Sequence, residues 1–225
     1  MLALALSKLL DALAPPGCAA CDAPCTSAFC AGCGALTLPA TPPSNELDGV
    51  PLLVAGTYAP PLSTAVTRFK YEGRAELSRC LSALLVPGLE RLRLPSTSVL
   101  VPVPLHPRRL ASRGYNQAAL LAQELAKRSG FRCEPRLLRR ARETERQVGK
   151  SRTLRLTNAR GAFELRRKAA PGCALGTAPA HVVLVDDVVT TGSTVRACAQ
   201  ALADGGATLV AVAALARAPC DSQRR

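Results

Sequence analysis

The sequence predicts an α/β fold: an open parallel sheet flanked by helices, with a small cysteine-rich unit at the N-terminus. Residues 182–185 are an unbroken β-branched and aliphatic run, and residues 98–104 are a second apolar run that ends in prolines; both are typical of strands buried on both faces. After each run, apolar residues recur with helical spacing, at positions 195–202 and 118–125. This alternation is typical of a parallel sheet, and 225 residues suffice for one such domain with a small appendage.

The remaining pattern completes the fold and divides the chain into three parts. Further strands are predicted at 52–58, 136–139 and 207–216, and helices at 61–71 and 75–92, the latter interrupted near Pro87-Gly88. Residues 36–50 are rich in proline and predict a linker. The predicted parts are an N-terminal amphipathic helix (1–14), a zinc ribbon (15–40) and the main domain (41–225).

Composition restricts the class of protein. The formal net charge of +13 indicates polyphosphate ligands, nucleic acid or both, although a solvated basic face would give the same composition. No apolar segment reaches the length of a membrane span. Residues 1–14 lack the basic start and the cleavage site of a signal peptide, so they predict a helix that packs on the domain or on a partner. We therefore predict a cytoplasmic location.

Five of the ten cysteines fall between positions 18 and 33. Cys18 and Cys21 form one C-x-x-C pair, and Cys30 and Cys33 form a second. Two such pairs can bring four thiolates to one tetrahedral Zn²⁺ with a structural role. Cys25 breaks the symmetry of the pairs and is placed outside the set. The alternative is a cluster of reduced free cysteines.

The strand at 182–185 is followed directly by two carboxylates, Asp186 and Asp187. A loop of hydroxyls around a glycine comes next: Thr190, Thr191, Gly192, Ser193 and Thr194. The N–H groups at a helix start bind anions, and paired carboxylates at a strand end suit ribose hydroxyls or a hydrated Mg²⁺. Together they describe a site for a ribose 5-phosphate. The alternatives are a helix-capping cluster or the acidic pair of a receiver domain, which lies on that domain's first strand.

Basic residues follow the other buried strand. Arg108, Arg109 and Arg113 come after residues 98–104, and ligands of open parallel sheets bind at the carboxyl ends of strands. Three guanidinium groups there suit a pyrophosphate, unless they simply face solvent. Residues 141–165 are polar and charged, and predict either a lid that brings Lys150 over a polyphosphate or a floppy basic loop. His106 and His181 are predicted to be structural.

The segment 182–194, VVLVDDVVTTGST, resembles the phosphoribosyl-pyrophosphate (PRPP) binding motif of type I phosphoribosyltransferases. Taken with PVPLHPRRLASRGYNQ at 102–117, the T-x-x-Q of Thr144 and Gln147, SRTLRLTNARGAF at 151–163 and the double C-x-x-C, the chain resembles the ComF family. These are competence-protein-F-like proteins with a double zinc ribbon and a phosphoribosyltransferase domain. The resemblance covers nearly the whole chain.

The resemblance implies a type I phosphoribosyltransferase fold in a cytoplasmic bacterial protein linked to natural transformation and DNA uptake, with a helicase partner. It implies that Asp186 and Asp187 hold ribose hydroxyls and Mg²⁺, that residues 190–194 hold the 5-phosphate, and that the four paired cysteines hold zinc.

Two hypotheses follow. The first is a phosphoribosyltransferase that binds Mg·PRPP and releases pyrophosphate as a nitrogen nucleophile attacks the ribose. The second is a catalytically silent module of the same fold that keeps a PRPP or nucleotide pocket and binds single-stranded DNA or a helicase. The scarcity of aromatic residues predicts that any DNA contact depends mainly on phosphates and on salt.

Overall fold

The computed structural model describes residues 17–37, 46–141, 161–166 and 179–218. The helix predicted for residues 1–14, the boundary predicted at residue 40 and Lys150 of the predicted lid lie outside the described residues.

A mostly parallel sheet forms the centre of the fold. The strands are β1 Glu46–Leu47, β2 Val50–Thr57, β3 Val99–Pro102, β4 Arg132–Cys133, β5 Leu138–Arg140, β6 Phe163–Leu165, β7 His181–Val189 and β8 Thr208–Arg217. Six of them form the sheet, in the order β1-β2-β8-β7-β3-β4, with β1 alone antiparallel to its neighbour. The strands β5 and β6 form a separate antiparallel ribbon. The predicted open parallel sheet is confirmed.

Helices cover both faces of the sheet. They are α1 Ala31–Leu36, α2 Leu62–Tyr71, α3 Leu77–Ala83, α4 Val86–Arg91, α5 Pro107–Arg113, α6 Gln117–Ser129 and α7 Ser193–Asp204. None of these described helices is both long and apolar enough to cross a lipid bilayer.

Two apolar cores lie on opposite faces of the sheet. Along β7, Val183 faces the core that α2, α3, α4 and α6 cover, whereas Leu184 faces the core under α7 and the β5–β6 ribbon. Successive side chains of a strand point to opposite faces, so a strand buried on both faces must be apolar at every position. Complete burial of one such leucine stabilises the fold by about 1.5–3 kcal/mol. This is why the β-branched run at 182–185 predicted its strand.

The order of the strands creates a crevice at one edge of the sheet. From β3 the chain passes through α6 to β4 on one side, and from β7 it passes through α7 to β8 on the other. The connections therefore diverge between β3 and β7, which is where open α/β sheets bind ligands. β3 ends at Pro102, opposite Val185, while β7 continues to Val189 beside β8 alone. The last residues of β7 thus border a crevice left by the end of β3.

The cysteine-rich residues 17–37, called here the cysteine segment, pack onto α2. Cys18, Ala19 and Phe29 are buried in the same core as α2 and α6. The guanidinium of Arg68 in α2 pairs with the carboxylate of Asp22 and donates to the carbonyl of Ala19 at 3.3 Å. The segment therefore shares the domain's core, whereas cysteine-rich units of this size commonly depend on metal alone.

The strands β4 and β6 were not predicted, and three further differences between the sequence predictions and the structure have a clear physical reason. Residues 46–50 are not linker but a hairpin, because Asp48 (φ 54°) and Gly49 (φ 79°) form a two-residue turn with both residues left-handed. Residues 107–113, for which no helix was predicted, form α5, with Pro107 in its first turn. The helical stretch 75–92 breaks at residues 84–85 rather than at Pro87-Gly88, because Pro87 lies in the first turn of α4, where proline is tolerated.

Candidate functional site

The two carboxylates lie in the crevice, at the carboxyl end of β7. Asp186 is opposite Ala214 of β8 and has lost its neighbour in β3. Both aspartates are half-buried, and the Oδ1 of Asp186 accepts a hydrogen bond of 2.8 Å from the backbone N–H of Asp187. A pair of adjacent carboxylates at a strand end offers oxygen atoms to sugar hydroxyls or to a hard divalent cation.

The crevice disfavours a second negative charge. Burial, together with the charge of Asp187, raises the pKa of Asp186 to about 8, against the smaller opposing effects of the Asp187 N–H and of Lys70. Near neutral pH the pair therefore carries less than two full charges when no ligand is bound. A cation or hydroxyl donors in the crevice would favour the ionised form of Asp186.

Lys70, near the end of α2, supplies a cation that the sequence analysis missed. Its Nζ lies 2.8 Å from Oδ1 of Asp187, and the two side chains are only 16% and 13% exposed. Because this ion pair is largely withdrawn from water, salt screens it only weakly, and the pair fixes the position of both side chains. The sequence around Lys70, Lys70-Tyr71-Glu72-Gly73, is a polar break at the end of an amphipathic helix. Such a break predicts where α2 ends but not which residue Lys70 contacts.

The hydroxyl loop joins β7 to α7. Thr190 and Thr191 are exposed, Ser193 and Thr194 are half-buried in the first turn of α7, and Thr191 Oγ1 donates to Ser193 Oγ at 3.3 Å. Gly192 has φ 76°, and a Cβ there would lie 2.7 Å from two methyl carbons of Leu47. Only glycine fits this position without strain. The loop therefore presents hydroxyls and backbone N–H groups at a helix N-terminus, beside the two carboxylates.

A brace from the β1–β2 turn holds this loop. The Nε and Nη2 groups of Arg196 donate to the two carboxylate oxygens of Asp48, at 2.5 and 3.1 Å, and its Nη1 donates to the carbonyl of Thr191 at 2.8 Å. The hydrogen bonds from the Arg196 guanidinium lower the pKa of Asp48. The Asp48-Gly49 dipeptide was a hairpin signal that could have located the turn, but its partner Arg196 is 148 positions away.

Of the three predicted arginines, Arg113 contacts Tyr71, the residue that follows Lys70. Its Cζ lies 4.9 Å from the centre of the Tyr71 ring, and Tyr71 follows Lys70 in α2. The neighbouring Tyr115 hydroxyl donates to the carbonyl of Phe69, which fixes the α5–α6 turn against the end of α2. Arg108 and Arg109 are exposed in the first turn of α5. Lys150 lies outside the described residues.

The two histidines and Asn116 have structural contacts. His106 Nδ1 caps α5 by accepting from the N–H of Arg108 at 3.2 Å, and His181 Nδ1 lies 3.3 Å from the Thr97 hydroxyl. Asn116 caps α6 and donates to the carbonyl of Val103 at 3.0 Å. The predicted structural role of both histidines is in keeping with these contacts.

Four thiols of the cysteine segment form a second cluster. The sulfur atoms of Cys18, Cys21, Cys30 and Cys33 all lie within 4.8 Å of one another. Cys21 Sγ is 3.7 Å from the sulfurs of both Cys30 and Cys33. Four thiolates around Zn²⁺ at Zn–S distances of about 2.3 Å would be separated by roughly 3.8 Å, so this cluster is compatible with a structural zinc site.

The thiols of the cluster are electrostatically unequal. Burial raises the pKa of Cys18, but hydrogen bonds from the N–H groups of Cys30, Ala20 and Cys21 outweigh it and lower the pKa to about 6. The hydrogen bond with Cys21 raises the pKa of Cys33 to about 12. Cys25 instead donates its S–H to the carbonyl of Ser27 and stands outside the cluster, as the pair symmetry predicted.

Comparison with known proteins identifies relatives of the chain. A family model described as phosphoribosyl transferase domain matches residues 110–225, which include both carboxylates and the hydroxyl loop. DNA utilization protein YhgH of Escherichia coli strain K12 is 39% identical over 172 residues, covering 74% of this chain and 71% of that protein. Competence protein F of Haemophilus influenzae is 34% identical over 174 residues, covering 74% and 72%. Competence protein ComFC of Bacillus subtilis is 31% identical over 150 residues, covering 67% and 57%.

The raised pKa of Asp186 predicts a dependence of stability on pH. The pKa of this carboxyl is 3.8 in the unfolded chain and about 8 in the folded protein, so its ionisation destabilises the fold. The loss of stability grows as the pH rises above 3.8 and is complete above about pH 8. We expect Asp186→Asn to exceed the wild type in free energy of unfolding at roughly pH 9, and to lose that advantage as pH falls towards about 4. Urea denaturation without added Mg²⁺ measures the difference. Asp204→Asn, at the exposed end of α7, is the control. A difference that stays constant with pH would contradict the prediction.

Proposed function

Because this chain belongs to the phosphoribosyl transferase domain family, and within it to the competence protein F-like group, we propose that its crevice binds PRPP. The observation that carries the proposal is the placement of two carboxylates and a hydroxyl loop at one switch point of the sheet. Carboxylates recognise a diol, and a helix N-terminus with free N–H groups recognises a phosphate. A ribose 5-phosphate has both groups.

The 5-phosphate would bind the loop from Thr190 to Thr194. The left-handed Gly192 turns the chain into α7, and its missing side chain leaves room for Leu47. The N–H groups at the start of α7 are then available to the phosphate. The brace between Asp48 and Arg196 holds the loop without using its hydroxyls, since Arg196 contacts a carbonyl of the loop. The loop is therefore ordered before the phosphate arrives, which reduces the entropy that binding costs.

The ribose hydroxyls would bind Asp186 and Asp187, and the diphosphate would lie towards Lys70 and Arg113. The adjacent carboxylate oxygens fit Mg²⁺, which prefers oxygen ligands and commonly shares them with substrate phosphates. When bound, Mg²⁺ would neutralise charge on the diphosphate. Lys70 lies 2.8 Å from Asp187 and is positioned to exchange this partner for a diphosphate oxygen. Arg108, Arg109 and Lys150 are further candidate contacts for that group.

The chemistry that this arrangement favours is pentosyl transfer. The bond between the ribose C1 and the diphosphate oxygen breaks, positive charge develops at C1, and a nitrogen nucleophile forms the new bond and then releases its proton. The side chains would contribute by orienting the ribose and by stabilising the negative charge on the leaving diphosphate. Both described histidines are engaged in structural contacts, so neither is assigned as a general base.

Metal in the cysteine segment would be structural zinc, held by Cys18, Cys21, Cys30 and Cys33. The four thiolates would fill all four coordination positions of the zinc, which leaves no open position for a reacting water. We also propose a cytoplasmic location, since a segment that binds zinc through four thiolates needs a reducing compartment.

A second candidate function is a DNA-handling module that uses the pocket for sensing. The relatives are named for DNA utilization and competence, and the chain carries a net charge of +13, which favours contact with nucleic acid phosphates. The logarithm of the binding constant for a single-stranded oligonucleotide should then fall steeply and linearly with the logarithm of the salt concentration. A shallow slope, or none, would contradict this second function and leave PRPP binding untouched.

PRPP binding is tested by calorimetry with Mg²⁺. We expect the wild type to bind PRPP and the double variant Asp186→Asn/Asp187→Asn to lose at least tenfold in affinity, about 1.4 kcal/mol, because both ribose ligands lose their charge. Asp204→Asn is the matched control, since it removes a carboxylate at the opposite end of α7. A folded wild-type protein that does not bind PRPP would rule out the proposed pocket.

Zinc binding is tested by metal analysis of the purified protein. We expect one zinc per chain in the wild type and in Cys25→Ser, and its loss in Cys30→Ser, because Cys25 lies outside the sulfur cluster. The loss should lower the free energy of unfolding as well, since metal binding is coupled to the folding of the segment. Equal zinc content in the two variants would contradict the assignment.

A further inference from the structure

Tyr71 is an exposed aromatic ring beside the crevice. It is 67% exposed, whereas Phe29, Phe69 and Phe163 are buried. Among the described residues the only other large apolar side chains with comparable exposure to water are Leu36 and Leu110. The ring of Tyr71 therefore contributes little to the apolar core, and its surface is accessible to a ligand.

The ring is held in place from one side. The guanidinium of Arg113 lies over one face, with Cζ 4.9 Å from the ring centre, in cation–π contact. The backbone on both sides of this contact is fixed: Lys70 pairs with Asp187, and the Tyr115 hydroxyl donates to the carbonyl of Phe69. One face of the ring is therefore occupied, and the high exposure leaves the other face open to a ligand.

The surroundings of the open face define the chemistry of that ligand. The guanidinium of Arg113 lies over the ring, and the preceding residue in the chain, Lys70, pairs with Asp187 of the proposed ribose site. A flat π-surface among cations suits a planar heterocycle joined to an anionic sugar phosphate, rather than an apolar side chain of another protein. Every nucleobase has such a π-face, so stacking tolerates different bases.

We propose that the open face of Tyr71, backed by Arg113, is a stacking subsite for a nucleobase. The inference rests on the proposed function in one respect: it takes the neighbouring crevice to be the sugar-phosphate site. The base is presented by a free nucleotide or by a single strand of nucleic acid, because both carry the same π-surface and phosphate.

The chain contains no tryptophan, so Tyr71→Trp creates a single fluorophore at the subsite. We expect UMP and AMP, or the oligonucleotide dT15, to quench its fluorescence saturably, and ribose 5-phosphate, which has no base, to leave it unchanged. Leu36→Trp is the matched control for the nucleotides, since Leu36 is 66% exposed and lies on α1 of the cysteine segment. Quenching by the nucleotides identifies a free nucleotide as the source of the base, and quenching by dT15 alone identifies a nucleic acid strand.

A second series measures the affinity of whichever probe quenches, with the tyrosine replaced. We expect Tyr71→Leu to weaken binding about tenfold and Tyr71→Phe to stay within about twofold of the wild type, because the ring and not the hydroxyl stacks. Absence of quenching by all three base-containing probes, or equal affinity of the leucine variant, would overturn the subsite. PRPP binding by the wild type, measured in the same series, separates this failure from failure of the proposed function, since PRPP has no base.

Discussion

Two adjacent carboxylates that are largely withdrawn from water impose the constraint on which this site depends. They lie where β7 continues past the end of β3, so the sheet covers them only in part. Burying charge is costly unless a counter-charge is near. The protein meets this cost in two ways: Lys70 pairs with Asp187, and the pKa of Asp186 is raised to about 8 by burial and by its neighbour. The crevice is thereby prepared for a cation or a polyol.

Helix α2 connects that constraint to the rest of the molecule. Four consecutive residues at its end have four different partners: Arg68 contacts Asp22 of the cysteine segment, Phe69 enters the core, Lys70 pairs with Asp187, and Tyr71 packs against Arg113. Because a helix turns about 100° per residue, successive side chains reach in different directions. The same helix end therefore fixes the cysteine segment, the carboxylates and the α5–α6 turn relative to one another.

The sequence predicted those parts whose signals are local. Apolar runs located β3, β7 and β8, because strands buried on both faces must be apolar throughout. The spacing of the cysteines predicted which four sulfur atoms meet. The acids and hydroxyls after the apolar run predicted a loop between β7 and α7. Lys70 with Asp187 and Asp48 with Arg196 were missed because each pair joins distant parts of the chain, 148 positions apart in the second case. Such pairs follow from the strand order, which no local pattern encodes.

The central claim, that a ribose 5-phosphate binds where β7 leaves β3, is tested most directly by a crystal structure of the protein with Mg²⁺ and PRPP. We expect the 5-phosphate at the backbone N–H groups and hydroxyls of residues 190–194, and the ribose hydroxyls at Asp186 and Asp187. We also expect Lys70, which pairs with Asp187 in the free protein, to contact the diphosphate. A crevice that remains empty at saturating PRPP, or a phosphate bound away from this loop, would show that the ribose 5-phosphate site is wrong.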